Sequence, residues 1–158
     1  MPSKSHELDR AVNLMEAKIK FIFETHIHAD FVSGHLDLAK KTGATIVFGP
    51  NAKTTFNCYN ASDNEAFKIG DITIKVLHTP GHTLESVTYL LMDETGKNHA
   101  VFTGDTLFLG DVGRPDLAVK SDLTEKDLAE MLYKSLRTKI MTLDDSVIVY
   151  PAHGAGSA

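Results

Sequence analysis

The chain of 158 residues has a single cysteine, Cys58, which excludes an internal disulfide framework and is typical of a reducing compartment. No apolar run approaches the roughly 20 residues that a membrane-spanning helix needs, and no signal peptide opens the sequence. The lysines form no long run and the net charge is −5, so nucleic acid and anionic membranes are not expected partners. These absences predict a cytoplasmic protein in which Cys58 has a structural place in a loop or in the core.

The sequence alternates between helical and strand patterns. Its 42% hydrophobic and 23% charged content predicts one globular domain over residues 1–158. Helices are predicted over residues 6–18, 31–42 and 125–137, the last capped by Thr124, and residues 49–65 are predicted to be a surface connection. Strands are predicted at KIKFIF, ATIVFG, DITIKVLHT, SVTYLLM, HAVFTG and SVIVY, with a hairpin at DETGKN. This order predicts an α/β sandwich with sheets inside and helices outside.

Histidine and aspartate follow several of the predicted strands. THIHAD follows KIKFIF, TPGHT follows DITIKVL, GD follows HAVFT and PAHG follows SVIVY. The candidate ligands at these strand ends are His26, His28, Asp30, His82, Asp105 and His153. The first three alternate along the chain, so an extended backbone would aim them to one side. Histidine and carboxylate together suit zinc, iron or manganese, and we expect a metal site where the strand ends meet.

The other histidines lack this context. We expect His35 to be structural near a helix start, and His78 to support the TPGH turn from behind. His99 and His6 are predicted to lie on the surface.

The motifs THIHAD, TPGHT, FTGDTLF and PAHG resemble the successive motifs of the metallo-β-lactamase fold. The stretches DTLFLGDVGRPDLA and YPAHGAGSA are similar to its persulfide dioxygenase (sulfur dioxygenase) branch, related to the ethylmalonic encephalopathy protein, and especially to bacterial members with rhodanese domains. The resemblance implies an αββα sandwich with the active site at one sheet edge. Because the chain starts at what resembles the family's first helix and stops after its last motif, we expect a fragment lacking the first strands and the C-terminal end.

Phe31 bears on the number of metal ions. Binuclear hydrolases of this fold, such as glyoxalase II, carry THxHxDH, in which the final Asp–His pair helps to hold a second metal. This sequence has THIHADF, and the benzyl side chain of Phe31 cannot donate to a metal. The resemblance therefore implies one Fe(II) per chain at His26, His82 and Asp105, a 2-His-1-carboxylate triad with open positions, with zinc as a substitute.

The same resemblance assigns supporting roles. His28, Asp30 and His153 are expected to orient ligands and bound water, or to serve as alternative ligands. Arg114 in GRPD is a candidate for gripping a glutathione carboxylate, or for a structural ion pair with Asp116 or Asp111. Tyr150 is a candidate substrate contact, or a core tyrosine.

The implied activity is oxidation of glutathione persulfide, or a related low-molecular-weight persulfide, with O₂ to give sulfite and thiol. The resemblance also allows a homodimer and, in the full-length protein, a rhodanese domain. Two alternatives stay open. One is a glyoxalase II-like hydrolase of glutathione thioesters, which would use a metal-bound hydroxide and against which Phe31 argues. The other is an inactive metal-binding module of a sulfur-transfer protein.

Overall fold

The computed structural model describes residues 17–28, 31–116, 118–119, 122–154 and 156–157, and within them two β-sheets pack face to face. The predicted first helix, residues 6–18, lies almost wholly outside this part of the chain. No helix among the described residues is long and apolar enough to cross a membrane.

The smaller sheet has three parallel strands in the order β1-β2-β3. They are β1 (Phe21–Phe23), β2 (Thr45–Phe48) and β3 (Tyr59–Asn60). Helix α1 (His35–Thr42) connects the first two and ends at Gly43, whose left-handed φ of 72° suits glycine, as the sequence predicted. The helix begins four residues later than expected.

The larger sheet has five strands in the order β4-β5-β6-β7-β8. They are β4 (Ala66–Ile69), β5 (Ile72–His78), β6 (Val87–Met92), β7 (Asn98–Gly104) and β8 (Ile148–Pro151). Strand β6 is antiparallel to both β5 and β7, and β8 is parallel to β7. Strands β5, β7 and β8 therefore run in one direction, and their carboxyl ends lie at the same edge of the sheet.

The predicted hairpin joins β6 to β7. Asp93 closes the turn, since its carboxylate accepts hydrogen bonds from the main-chain N–H groups of Thr95 and Lys97 at 2.9 and 3.0 Å. Strands β3 and β4 were not predicted separately. At two and four residues they are too short for their alternation to stand out, and β3 lies within the stretch predicted to be a surface connection.

Apolar side chains from both sheets form the core. Val47 from β2 packs with Val76, Val87 and Tyr89 from the larger sheet, and all four are essentially buried. The Tyr89 hydroxyl donates across the interface to the main-chain carbonyl of Glu24 at 2.8 Å. The sandwich is thus held by apolar burial and by a hydrogen bond from one sheet to the other.

Helix α2 (Glu125–Ser135) buries Leu128 and Leu132 and continues as a π-helical turn, Leu136–Ile140. Leu136 and Ile140 of this turn pack with Leu77, Leu90 and Val101 of the larger sheet. Its start is the predicted one. The Thr124 side chain accepts from the Asp127 N–H while the Asp127 carboxylate accepts from the Thr124 N–H, which completes a capping box.

Candidate metal centre

Three strand ends bring donor atoms together at one edge of the sandwich. His26 follows β1, His82 follows β5 and Asp105 directly follows β7. Their ligand atoms all lie within 4.8 Å of one another, close enough to share one metal ion. The Nε2 atoms of His26 and His82 lie 3.9 and 3.6 Å from Asp105 Oδ2. His26 and His82 are only 3% and 6% exposed, so these two nitrogens and one oxygen form a nearly enclosed group.

The ring of His82 is fixed by a main-chain carbonyl. Its Nδ1 lies 3.0 Å from the carbonyl oxygen of Arg114. A carbonyl can only accept, so Nδ1 carries a hydrogen, and in the neutral form of the ring Nε2 then has the lone pair toward Asp105. Gly113 allows this approach, because a Cβ there would lie 1.8 Å from the Asp105 carbonyl oxygen.

His26 is kept neutral by its surroundings. Burial, followed by the neighbouring imidazole of His28, lowers the pKa of His26 to about 4 against the opposing attraction of Asp105. Its Nδ1 lies 3.0 Å from the hydroxyl of Thr25. A neutral imidazole with Nε2 toward a carboxylate is the form in which histidine binds a metal.

Asp105 divides its two oxygens between different partners. Oδ2 faces His26 and His82, whereas Oδ1 lies 2.9 Å from Nδ1 of His153. The His153 side chain is 59% exposed and its ring stands edge-on to Phe108 at 6.1 Å between centroids. The structure therefore places His153 beside the triad, where its N–H orients the carboxylate.

His28 and Phe31 lie on the other side of His26. The His28 ring lies between them, with centroids 4.2 Å from His26 and 4.3 Å from Phe31. Phe31 is 53% exposed, so an apolar ring stands at the rim of the centre. Asp30, the remaining member of the motif, lies outside the described residues.

The two predicted substrate contacts have partners within the protein. The guanidinium of Arg114 donates from Nε and Nη2 to both carboxylate oxygens of Asp116, at 2.7 and 2.5 Å. Hydrogen bonding from Arg114 holds the pKa of Asp116 down to about 2. Tyr150 stacks on Phe102 with centroids 5.5 Å apart, and it lines an apolar cavity of about 400 Å³ together with Thr25 and Gly104.

The remaining described histidines lie outside the triad, where the sequence predicted them. His35 is the first residue of α1 and its Nδ1 lies 3.0 Å from Glu24 Oε1. His78 donates from Nε2 to the Leu84 carbonyl at 2.9 Å, behind the TPGH turn. His99 is exposed. His6 lies outside the described residues.

Sequence reasoning missed Thr25 and Gly113. Thr25 precedes His26 in the first motif, so its place next to a candidate ligand was a usable signal. Gly113 is 31 residues from His82, and its contact with the centre follows only from the three-dimensional path of the loop.

The donor set fits a divalent metal ion. Two imidazoles with free Nε2 atoms and one carboxylate form the 2-His-1-carboxylate combination of non-haem iron, and the same nitrogen and oxygen donors also suit zinc. The sandwich and the converging triad define a metal-binding α/β domain.

The family profile described as the metallo-beta-lactamase superfamily matches residues 59–153, which is more than half of the chain. The chain belongs to the metallo-beta-lactamase superfamily, and the predicted fold is confirmed.

Individual relatives share both sequence and fold. The chain is 34% identical over 140 residues to a cytoplasmic hydroxyacylglutathione hydrolase of Arabidopsis thaliana, covering 87% of this chain and 51% of that protein. A metallo-beta-lactamase from Staphylococcus aureus matches at 37% identity with a TM-score of 0.84, over 95% of this chain and 47% of the other. ETHE1 from Myxococcus xanthus matches at 32% identity with a TM-score of 0.73, over 95% of this chain and 62% of the other. The chain spans about half the length of the curated relatives it matches.

Proposed function

We propose that this chain is the metal-bearing domain of a mononuclear non-haem iron dioxygenase that oxidises glutathione persulfide, or a related low-molecular-weight persulfide, to sulfite and thiol. The observation that carries the proposal is Phe31. It stands where the binuclear motif has a metal-binding histidine, and it leaves His26, His82 and Asp105 as the converging donors. The likeness to ETHE1 supports the same branch of the superfamily.

Bound Fe(II) would supply a redox-active centre with open positions for a persulfide sulfur and O₂. The protein's part is to hold the ligands and to exclude water. His26 and His82 are buried, and Asp105 is oriented by His153. The ring of Phe31 adds apolar surface beside His28. This side of the centre therefore holds less water than it would with a polar residue at position 31.

Substrate contacts are proposed at Arg114 and Tyr150. The Arg114 side chain is 65% exposed. Its bidentate pair with Asp116 leaves the outer surface of the guanidinium free to contact a carboxylate of the thiol substrate. Tyr150 offers an aromatic face that is 40% exposed near the end of β8. A gripping role predicts that Arg114→Ala raises KM by roughly tenfold to a hundredfold, at about 1.5–3 kcal/mol for a charged contact, without loss of metal.

A second candidate function is hydrolysis of glutathione thioesters. The names of the relatives favour it, since hydroxyacylglutathione hydrolases of several organisms are 32–36% identical to this chain. Such a hydrolase would use a metal-activated water as the nucleophile. The third interpretation, an inactive metal-binding module, stays a prediction, as do the cytoplasmic location, the homodimer and the rhodanese domain.

The two reactions are separated by one pair of assays on the same protein. The iron-loaded chain, extended to the length of its relatives, is expected to consume O₂ with glutathione persulfide and to cleave S-lactoylglutathione poorly. The zinc-loaded protein should take up no O₂, because Zn²⁺ has no accessible redox change. Efficient thioester cleavage by the zinc form, with no O₂ uptake by the iron form, would replace the dioxygenase with the hydrolase.

A further inference from the structure

Thr25 lies between two of the strand ends that carry candidate ligands. It follows β1 and immediately precedes His26, and its side chain packs against Gly104, the last residue of β7. A Cβ added to Gly104 would lie 2.6 Å from Thr25 Oγ1 and 2.7 Å from Thr25 Cβ. Gly104 immediately precedes Asp105, so the threonine side chain lies against the residue before one candidate ligand and directly precedes the other.

Two hydrogen bonds hold Thr25 in this place. Its main-chain carbonyl accepts from the N–H of Val87, the first residue of β6, at 2.9 Å. Its hydroxyl lies 3.0 Å from Nδ1 of His26. The main chain of Thr25 is therefore anchored to the larger sheet, and its hydroxyl is aimed at the ligand ring.

The chemistry of imidazole gives this contact a direction. The Nε2 atom of His26 faces Asp105 Oδ2, so it must keep its lone pair to bind a metal there. Nδ1 must then carry the hydrogen and donate it to an acceptor. The Thr25 hydroxyl can accept that bond, whereas a neutral His26 without an acceptor could place the hydrogen on Nε2 and lose its donor atom.

His26 and His82 differ in what fixes them. His82 donates to the main-chain carbonyl of Arg114, which every residue type would provide. The acceptor for His26 belongs to a side chain and is therefore specified by sequence. The orientation of His26 depends on the residue at position 25.

We propose that Thr25 is a positioning residue for the metal centre. It fixes the tautomer and rotation of the His26 ring through its hydroxyl. This role rests on the proposed metal centre, but it does not depend on whether the bound metal serves oxidation or hydrolysis.

The test compares metal affinity in shape-matched variants. Thr25→Val keeps the branched shape and removes the hydroxyl, whereas Thr25→Ser keeps the hydroxyl. Thr54→Val is the matched control, since Thr54 is also half-buried and its hydroxyl donates to the Phe56 carbonyl in another loop. Co²⁺ titrated into each metal-free protein gives the dissociation constant by calorimetry and reports ligand geometry through its visible absorption bands.

Thr25→Val is expected to bind Co²⁺ about tenfold to a hundredfold more weakly, with altered absorption bands, because outer hydrogen-bond partners of metal-binding histidines contribute on this scale. Thr25→Ser and Thr54→Val should remain close to the wild type. Circular dichroism checks folding, and if Thr25→Val does not fold, the pair Thr25→Ser and Thr25→Ala makes the same comparison.

Equal Co²⁺ affinity of Thr25→Val and the wild type would overturn the role of Thr25 but would leave the metal centre itself in place. A serine variant as weak as the valine variant would also overturn it, since the methyl packing and not the hydroxyl would then matter. If the wild type binds no Co²⁺, the metal centre itself is contradicted and this role falls with it.

Discussion

The properties of single residues decide how many metals this centre holds. His26 is neutral because burial lowers the pKa of its ring, and the ring of His82 is held in place because the Arg114 carbonyl accepts from its Nδ1. Phe31 has no donor atom, yet its ring stands 4.3 Å from His28 beside the triad. A donor introduced at this position would not disturb the core, because the side chain is about half exposed.

Replacement of Phe31 tests how this residue affects the number of metal ions that the centre binds. Phe31→His is expected to raise the affinity for a second metal ion, because it adds a donor beside His28. It should not improve oxygen uptake with persulfide, since the added ion competes for Asp105. Phe31→Ala is the control, because it removes the ring without adding a donor and should keep one metal. Equal second-metal affinity in both variants, measured by calorimetry with Zn²⁺, would contradict the role given to Phe31.

At the scale of elements, helix α2 positions one strand end of the site. Gly81 has a φ of +145°, and a Cβ there would lie 2.4 Å from Leu132 Cβ, so the TPGH turn rests directly on this helix. Ser135 donates to the Pro80 carbonyl at 2.8 Å from the same helix. The stability of α2 is thus coupled to the placement of His82.

The capping box of α2 makes a testable contribution. Thr124→Ala removes the acceptor for the Asp127 N–H and should lower the free energy of unfolding by about 0.5–2 kcal/mol, measured by chemical denaturation. Thr142→Ala is the control, since its hydroxyl makes only a 3.4 Å contact with a helix carbonyl. A loss as small as that of the control would show that the box adds nothing.

The same box predicts a pH dependence. Hydrogen bonding from Thr124 lowers the pKa of Asp127, so the ionised carboxylate is favoured in the folded state. That stabilisation is present above the unfolded pKa of about 4 and is lost as the pH falls through the lower folded value. The difference in stability between the wild type and Thr124→Ala should therefore shrink in acid. A difference that stays constant down to pH 2 would contradict the assignment.

Most elements could be predicted because their patterns are long. The hairpin around DETGKN, the C-terminal glycine of α1 and the Thr124 cap each leave a local signature, and the structure has all three. Strand β3 could not be predicted, since two residues are too few to show an alternation of apolar and polar side chains. The pairing of β3 with β2 is set by packing. The start of α1 was predicted too early because Gly34, its N-cap residue, supplies no side-chain capping bond.

The candidate ligands at strand ends were also predictable, since each follows an apolar strand within a few residues. Their convergence needed the topology, which places the ends of β5, β7 and β8 at one edge. The Thr25 hydroxyl and the Arg114 carbonyl needed coordinates, because neither contact leaves a residue pattern of its own. The structure also shows Arg114 paired with Asp116, one of the partners that sequence reasoning had allowed.

At the scale of the whole molecule, the two sheets must keep their relative position for the β1 end to meet the β7 end. Tyr89 contributes to this, since its hydroxyl donates to Glu24 and lies 3.3 Å from the Val47 carbonyl in the opposite sheet. Burial, with a smaller effect of Glu24, raises the pKa of Tyr89, so the neutral hydroxyl is favoured in the folded state. A strand that carries a ligand is thereby tied to the larger sheet.

Tyr89→Phe should lower the free energy of unfolding by about 0.5–1.5 kcal/mol at neutral pH, because a cross-sheet hydrogen bond is lost. Because the folded pKa of Tyr89 is raised, wild-type stability should fall as the pH rises above about 10, whereas the variant lacks this effect. Tyr133→Phe, at a residue 67% exposed on α2, is the control and should change little. Identical stability of Tyr89→Phe and the wild type across this pH range would show that the cross-sheet bond is dispensable.

We propose that one metal ion binds at His26, His82 and Asp105. The metal content of the anaerobically iron-reconstituted protein after gel filtration tests this most directly. One iron per chain is expected for the wild type and for the exposed control His99→Ala. His26→Ala, His82→Ala and Asp105→Ala should each lose it. Two irons per wild-type chain, or full iron content in any of the three ligand variants, would contradict the mononuclear centre.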